Sequence, residues 1–283
     1  MPAHRYNLGR CTPSEWQLLD KQLRALAESE DNVIGAVSRY DAEYLQYYTG
    51  LKPFLVPSNA GFYLQALYDP EKVTSNTYLI FKLHDKSISN EFTENVKSAL
   101  QAVNLKAEYV YDIYKFYESA DLLRHPAVIS LPYSVMSLRT TELYSMAMPL
   151  FVPSIKFYLR QNGIGHDRTS TTEPYCDEDP NLEAKMRPSI DLGYSTHPYS
   201  PNTEIDQDPE AEMYWMQLAD FYDWPHIIQF DSYDHLKDLL LTTDLNAVSA
   251  NMKDEMALRN LQSTQSWCDI SKRIVSKTNP FKK

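Results

Sequence analysis

Glu142 has both the residue type and the setting to do chemistry. It sits within 127–154, which reads as a buried strand, a polar loop, a short helix and a second strand. The loop carries Tyr133, Ser134, Ser137, Arg139, Thr140 and Thr141. In a βαβ unit the loop after the first strand leaves the carboxyl edge of a parallel sheet, where open α/β folds bind ligands. The helix that follows points free N–H groups into the same crevice, which favours phosphate. Arg139, Thr140 and Thr141 are expected to line a phosphate or sugar pocket, with ordinary N-terminal helix positions as the alternative. Ser134 and Ser137 are candidates for nucleotide contact or for capping the helix. Glu142 is either a ligand-binding carboxylate or a glutamate favoured by the helix dipole.

Other chemistry-bearing groups are more scattered. The seven histidines form no HxxxH or HExxH pair, which leaves a zinc hydrolase without support. His84, just beyond an apolar run at 77–81, falls at the expected crevice and is the candidate general base, against a plain surface histidine. His226 opens a strand and reads as structural. Asp177, Glu178 and Asp179 offer hard oxygen ligands, but no apolar strand precedes them, so they read as a solvated acidic loop and no metal is expected. Tyr222, Asp223, Trp224 and Pro225 form an aromatic turn that either stacks on a ligand or plugs a helix onto the sheet. No GxSxG elbow and no phosphate-cradling P-loop is present. Cys11, Cys176 and Cys268 are odd in number, far apart and without metal-ligand spacing, which favours free thiols.

The elements that must position these groups follow from periodicity and breakers. Thr12, Pro13 and Glu15 start a helix with Trp16, Leu19, Leu23 and Leu26 on one face. A short strand at 33–37 leads to a helix over 38–50 stopped by Gly50, then a strand at 54–56. Residues 58–76 are a connector broken by Asn59, Gly61 and Pro70. Strands are predicted at 77–81, 108–111, 127–131, 149–152 and 226–230. Helices alternate with them: one capped by Ser89 with Phe92, Val96, Leu100 and Val103 on one face, then 113–123, 139–147 and 154–160. A helical stretch around 213–221 precedes the last strand. Asp231 or Ser232 caps a helix with Leu236, Leu239 and Leu240, and helices at 244–262 and 264–276 follow. This alternation predicts an α/β fold, a doubly wound, Rossmann-like parallel sheet with right-handed crossovers. The expected division is a partial α/β unit and connector at 1–76, a main domain at 77–276 and a tail at 277–283. Residues 163–209, rich in proline and poor in apolar periodicity, read as an insertion at the ligand edge.

Composition narrows the function classes. The 43% apolar content supports a core, and 12% aromatic residues argue against disorder. A net charge of −11 argues against a nucleic-acid partner, which needs a cationic surface. No signal-peptide h-region and no run of roughly 20 apolar residues is visible, so no membrane segment is expected. The count of only seven glycines argues against a fold built on repeated Gly-rich loops.

The run Glu142-Leu143-Tyr144-Ser145-Met146-Ala147-Met148-Pro149, followed by LFVPS, resembles the donor-binding unit of GT-B-fold glycosyltransferases. There a strand ending in Pro precedes a loop and a helix that reads roughly E-A-M-A-x-G-x-P. The later order of strand 226–230, helix and terminal helices is similar to the end of a GT-B donor domain. The likeness covers about 77–276, and 12–60 resembles the last part of an acceptor domain. It implies transfer of a sugar from a nucleotide-sugar, with Glu142 gripping the ribose hydroxyls, as a carboxylate can. Arg139 and Lys82 or Lys86 would neutralise the diphosphate, since no Gly-Arg…Lys-Gly segment is found. No metal is implied, because side chains and helix dipoles meet the charge. Ser134 stands where many retaining members carry a second glutamate, and Ala147 where the pattern has glycine. The alternative is a non-catalytic binding or scaffold protein of the same descent. Donor sugar, glycan, protein or lipid acceptor, and compartment are left open.

Overall fold

The computed structural model describes residues 13–29, 32–60, 62–81, 87–132, 135–160, 199 and 209–278. The chain forms two compact units that interleave along the sequence. One comprises Met1–Ser58, Ser170–Ala219 and Arg259–Lys283, the other Asn59–Thr169 and Asp220–Leu258.

The second unit holds the main sheet. Its strands are β3 (Thr77–Phe81), β4 (Lys106–Tyr109), β5 (Val128–Ser130), β6 (Leu150–Pro153) and β7 (Ile228–Phe230). They lie in the order β4-β3-β5-β6-β7, and every pairing is parallel. The protein is therefore α/β, with a five-stranded parallel sheet flanked by helices and a Rossmann-like shape. The chain steps from β3 outward to β4, then back past β3 to β5. That reversal makes a topological switch point between β3 and β5.

The interior strands are apolar on both faces because both are covered. All five residues of β3 and all of β5 and β6 are buried. Alternation sends Leu79, Val128, Leu150 and Val152 to one face. There they meet Leu143, Tyr144, Met146, Met148, Phe221, Trp224, Met252 and Met256. Register places Ile80, Ile129, Phe151 and Phe230 on the other face. Phe157 of α7 (Ile155–Arg160) meets Phe230 at 5.8 Å and Tyr233 at 5.3 Å on that side. At the β4 edge, Lys97 reaches Glu108 at 2.8 Å and Lys106 reaches it at 3.7 Å. Charge on an edge strand blocks pairing with another chain.

Several boundaries differ from expectation. The helix α3 runs Ser87–Gln101, so Ser89 lies inside it and is not its cap. Its predicted face holds: Phe92, Val96 and Leu100 are buried. β4 begins two residues earlier than the apolar pattern suggested, because an edge strand buries only alternate residues, here Ala107 and Tyr109. In place of one helix at 113–123 there are two turns, α4 (Val110–Ile113) and α5 (Ser119–Leu122). The stretch around 213–221 divides into α8 (Pro209–Gln217) and α9 (Asp220–Asp223). β7 starts at Ile228 because His226 has φ 66°, a left-handed turn that no strand accommodates. Ser232 caps α10 (Tyr233–Thr242) by accepting the His235 N–H. The two terminal helices are one, α11 (Leu245–Thr278), whose 34 residues contain neither Gly nor Pro. The predicted insertion at 163–209 falls almost wholly outside the described residues.

The first unit contains α1 (Pro13–Glu28), β1 (Gly35–Ala36), α2 (Arg39–Thr49) and β2 (Phe54–Leu55), with β1 and β2 parallel. Ser38 caps α2 through the Asp41 N–H, and Gly50 ends it at φ 71°. α8 supplies Trp215, whose ring lies edge-on to Tyr40, Tyr44 and Tyr47 of α2.

His125 gives the second unit a dependence on pH. It is buried, its Nδ1–H donates to the Thr77 carbonyl at 2.7 Å, and its Nε2 accepts the Tyr114 hydroxyl at 2.9 Å. Burial holds the imidazole below its ordinary value of 6.5; the Thr77 bond opposes this and Arg124 adds to it. The unfolded chain therefore binds the proton more readily. The stability this group contributes is complete above pH 6.5 and falls as pH drops below it. In urea denaturation between pH 8 and pH 5, His125→Gln is expected to flatten the decline seen in the wild type; equal slopes would refute it.

Candidate functional site

The helix α6 (Leu138–Ser145) leaves the carboxyl end of β5, at the switch point. Ser137 caps it: its hydroxyl accepts the Thr140 N–H at 3.4 Å, and its carbonyl accepts the Thr141 hydroxyl at 3.2 Å. Thr140, Thr141, Leu143, Tyr144 and Ser145 are buried. Leu138, Arg139 and Glu142 stay toward solvent, three and four residues apart, as one helix face requires. The helix ends in a Schellman turn. The Met148 N–H bonds to the Leu143 carbonyl at 3.0 Å, and the Ala147 N–H to the Tyr144 carbonyl at 2.9 Å. Ala147 has φ 56° and no exposed surface.

Glu142 and Arg139 form the centre of the exposed face. The Arg139 Nη1 lies 2.7 Å from Glu142 Oε2, and the side chains are 30% and 22% exposed. The other carboxylate oxygen, Oε1, accepts the Tyr63 hydroxyl at 3.2 Å. Burial, then the charge and hydrogen bond of Glu142, push the Tyr63 phenol upward. The Arg139 guanidinium also lies over the rings of Tyr117 at 5.1 Å and Phe81 at 5.9 Å. Such cation–π contacts hold the cation in place. Tyr117 in turn meets Phe81 edge-on at 6.2 Å and Tyr111 at 5.7 Å. Burial above all, then a hydrogen bond to Tyr111, raises the Tyr117 phenol, while Arg139 opposes the shift. The phenols stay neutral donors near neutral pH.

The arrangement joins a carboxylate that accepts hydroxyls, a guanidinium that accepts an anion and a wall of aromatic rings. Of the sequence candidates, Arg139, Glu142 and Ser137 come together at this edge. Thr140 and Thr141 are adjacent to them but buried. Lys82, Lys86, His84, Ser134 and the acidic triplet 177–179 lie outside the described residues. Tyr63, Phe81, Tyr111 and Tyr117 were not singled out by sequence. The aromatic run around 109–117 carried a signal, whereas Tyr63, 79 residues from Glu142, had none.

A second polar cluster lies at the same edge where β6 and β7 end. Ser154 donates to Asp231 Oδ1 at 2.6 Å, the Asp231 N–H donates to His235 Nδ1 at 3.1 Å, and Arg160 donates to the Asp231 carbonyl at 3.0 Å. The carboxylate, not the imidazole, meets Ser154, so no Ser–His pair forms and the cluster fastens two strand exits. The aromatic turn is a plug: Trp224 packs edge-on to Tyr144 at 4.9 Å, and the Tyr144 hydroxyl donates to the Pro225 carbonyl at 2.9 Å. Two open hollows of about 520 and 420 Å³ share Leu67, Asp69 and Lys72. They are lined by residues that precede β3 and β5, joined by Lys253 of α11 in the larger one, at the opposite end of the strands from Glu142.

Among the described residues, no group of three or more His, Cys, Asp or Glu is placed to hold a metal ion. Among them also, no helix is long and apolar enough to cross a membrane. No family model, no curated protein and no solved structure matches the chain.

Proposed function

We propose that this chain binds a nucleotide-sugar at the carboxyl edge of its five-stranded sheet and takes part in sugar transfer, as a GT-B-type donor domain. The observation that carries this reading is the backbone of 142–149. The resemblance to E-A-M-A-x-G-x-P places glycine where Ala147 stands, and Ala147 adopts the left-handed conformation that glycine favours. The same helix turns Glu142 outward at the switch point, where open α/β sheets take ligands. In this reading Glu142 accepts the two ribose hydroxyls. Arg139, with Lys82 or Lys86, meets the diphosphate charge, and the aromatic wall of Phe81 and Tyr117 flanks the ligand. The acceptor oxygen bonds to the anomeric carbon as the bond to the diphosphate breaks, and the acceptor proton passes to a base, for which His84 is the candidate.

A second reading is a non-catalytic binding or scaffold protein with the same framework. It is favoured by the engagement of both Glu142 oxygens within the chain.

Thermal melting against a panel of nucleoside diphosphates and nucleotide-sugars separates the two. At a hundredfold excess over its dissociation constant, a bound nucleotide should stabilise by about 2.7 kcal/mol. Glu142→Ala should abolish the shift while changing the unliganded protein by only about 1 kcal/mol or less, because the ion pair is partly solvated. A folded chain that no nucleotide stabilises would overturn the glycosyltransferase reading in favour of the scaffold.

A further inference from the structure

Tyr63 approaches Glu142 from a strap that precedes the sheet. The strap begins in a local turn on the buried Ala60 and is bonded to the rest of the unit at Tyr68. The buried Ala60 accepts the N–H groups of Tyr63 at 3.2 Å and Leu64 at 3.0 Å. The buried Tyr68 donates its N–H to the Met146 carbonyl at 2.8 Å and its hydroxyl to the Pro126 carbonyl at 3.0 Å. Between these anchors Phe62 and Tyr63 are 65% and 59% exposed. A ring so exposed gains little from packing. Its hydroxyl nevertheless donates to Glu142 Oε1, as a sugar hydroxyl would.

We infer that Tyr63 stands in for a ligand hydroxyl on Glu142 and is displaced when the ligand binds. The inference rests on the reading of Glu142 as the hydroxyl-binding carboxylate. The strap then sets the affinity of the site, because only the fraction with Tyr63 released is competent to bind. The turn at the buried Ala60 and the bonds of Tyr68 keep the ring close enough to return when the ligand leaves. Phe62 and Tyr63 also place two exposed rings beside the entrance, so a displaced Tyr63 remains a neighbour of the bound ligand.

Removal of the hydroxyl alone tests this. Calorimetric titration with uridine, guanosine, adenosine and cytidine diphosphates is compared for wild type, Tyr63→Phe, Tyr68→Phe and Glu142→Ala. Tyr68→Phe is the control: it removes a hydroxyl from the same strap without touching Glu142. Tyr63→Phe is expected to bind one of the nucleotides roughly three- to tenfold more tightly, the worth of one hydrogen bond to a partly exposed carboxylate. Tyr68→Phe, which keeps both the Tyr63–Glu142 bond and the Tyr68 N–H bond to Met146, should tighten binding by less than Tyr63→Phe, and Glu142→Ala should lose binding. Binding seen only in Tyr63→Phe supports the same conclusion. Unchanged or weaker binding in Tyr63→Phe, with loss in Glu142→Ala, overturns the stand-in role and leaves the nucleotide site intact. Equal tightening in both phenylalanine variants reports a loosened strap and also overturns it. Absence of binding in all four folded proteins refutes the nucleotide site itself and the inference with it.

Discussion

Ala147→Val is expected to destabilise the protein by about 2 kcal/mol or more. Two costs combine. Ala147 already bears the roughly 1–2 kcal/mol of an L-residue in the left-handed region, and a β-branched side chain adds to it as a true outlier there. Ala147 also has no exposed surface and lies in the cluster with Leu143, Met146 and Met148, where added carbons overpack for about 1–3 kcal/mol. The turn has little room to relax, because both Schellman bonds span it. Ala147→Gly is the informative companion. Glycine relieves the left-handed strain but gives up a buried methyl, worth about 0.8 kcal/mol, and adds unfolded-state freedom of about 0.4–1 kcal/mol. The terms nearly cancel, so this variant should stay within about 1 kcal/mol of wild type. Urea denaturation measures both. A glycine variant as damaged as the valine variant would show that the methyl matters and the backbone angle does not.

What sequence reasoning reached and missed follows from the range of the interactions involved. β3 was legible because Thr77–Phe81 is buried on both faces and reads as an unbroken apolar run. α2 was legible because Ser38 and Gly50 end it by local chemistry. α11 was read as two helices because residues 262–266 are polar. Polar residues cost a helix only tenths of a kcal/mol each, and without Gly or Pro nothing stops it. His226 misled by type, since its left-handed angle is fixed by its surroundings and has no residue signature. At the site, Arg139 and Glu142 were legible as a pair three residues apart on one helix. Tyr63 was not, because only the fold of the connector brings it to the carboxylate. Thr140 and Thr141 were drawn to the pocket by their polarity, yet the turn of α6 that exposes Arg139 and Glu142 buries both threonines.

Trp215→Ala should cost the other unit about 3–5 kcal/mol, the range for deleting a buried aromatic side chain. The sequence reason is spacing: Tyr40, Tyr44 and Tyr47 recur on one face of α2. Trp215 fills the space that face leaves and has no exposed surface. Its ring meets Tyr40 at 5.4 Å, Tyr47 at 6.3 Å and Tyr44 at 6.5 Å, all edge-on, the geometry in which aromatic pairs attract. Tyr214 joins from the same helix at 5.7 Å and donates its hydroxyl to Glu43 of α2. Burial, then that bond, pushes the Tyr214 phenol up to about 12, so it stays a donor at neutral pH. Loss of the indole removes the packing partner that these rings share. Amide hydrogen exchange should therefore accelerate along α2 and α8 in the alanine variant. Trp215→Phe, which keeps one ring in place, should lose markedly less. The strands Thr77–Phe81 and Leu150–Pro153 belong to the other compact unit and should retain their protection. Equal acceleration in those strands would show that the two units unfold as one and that Trp215 supports the whole chain.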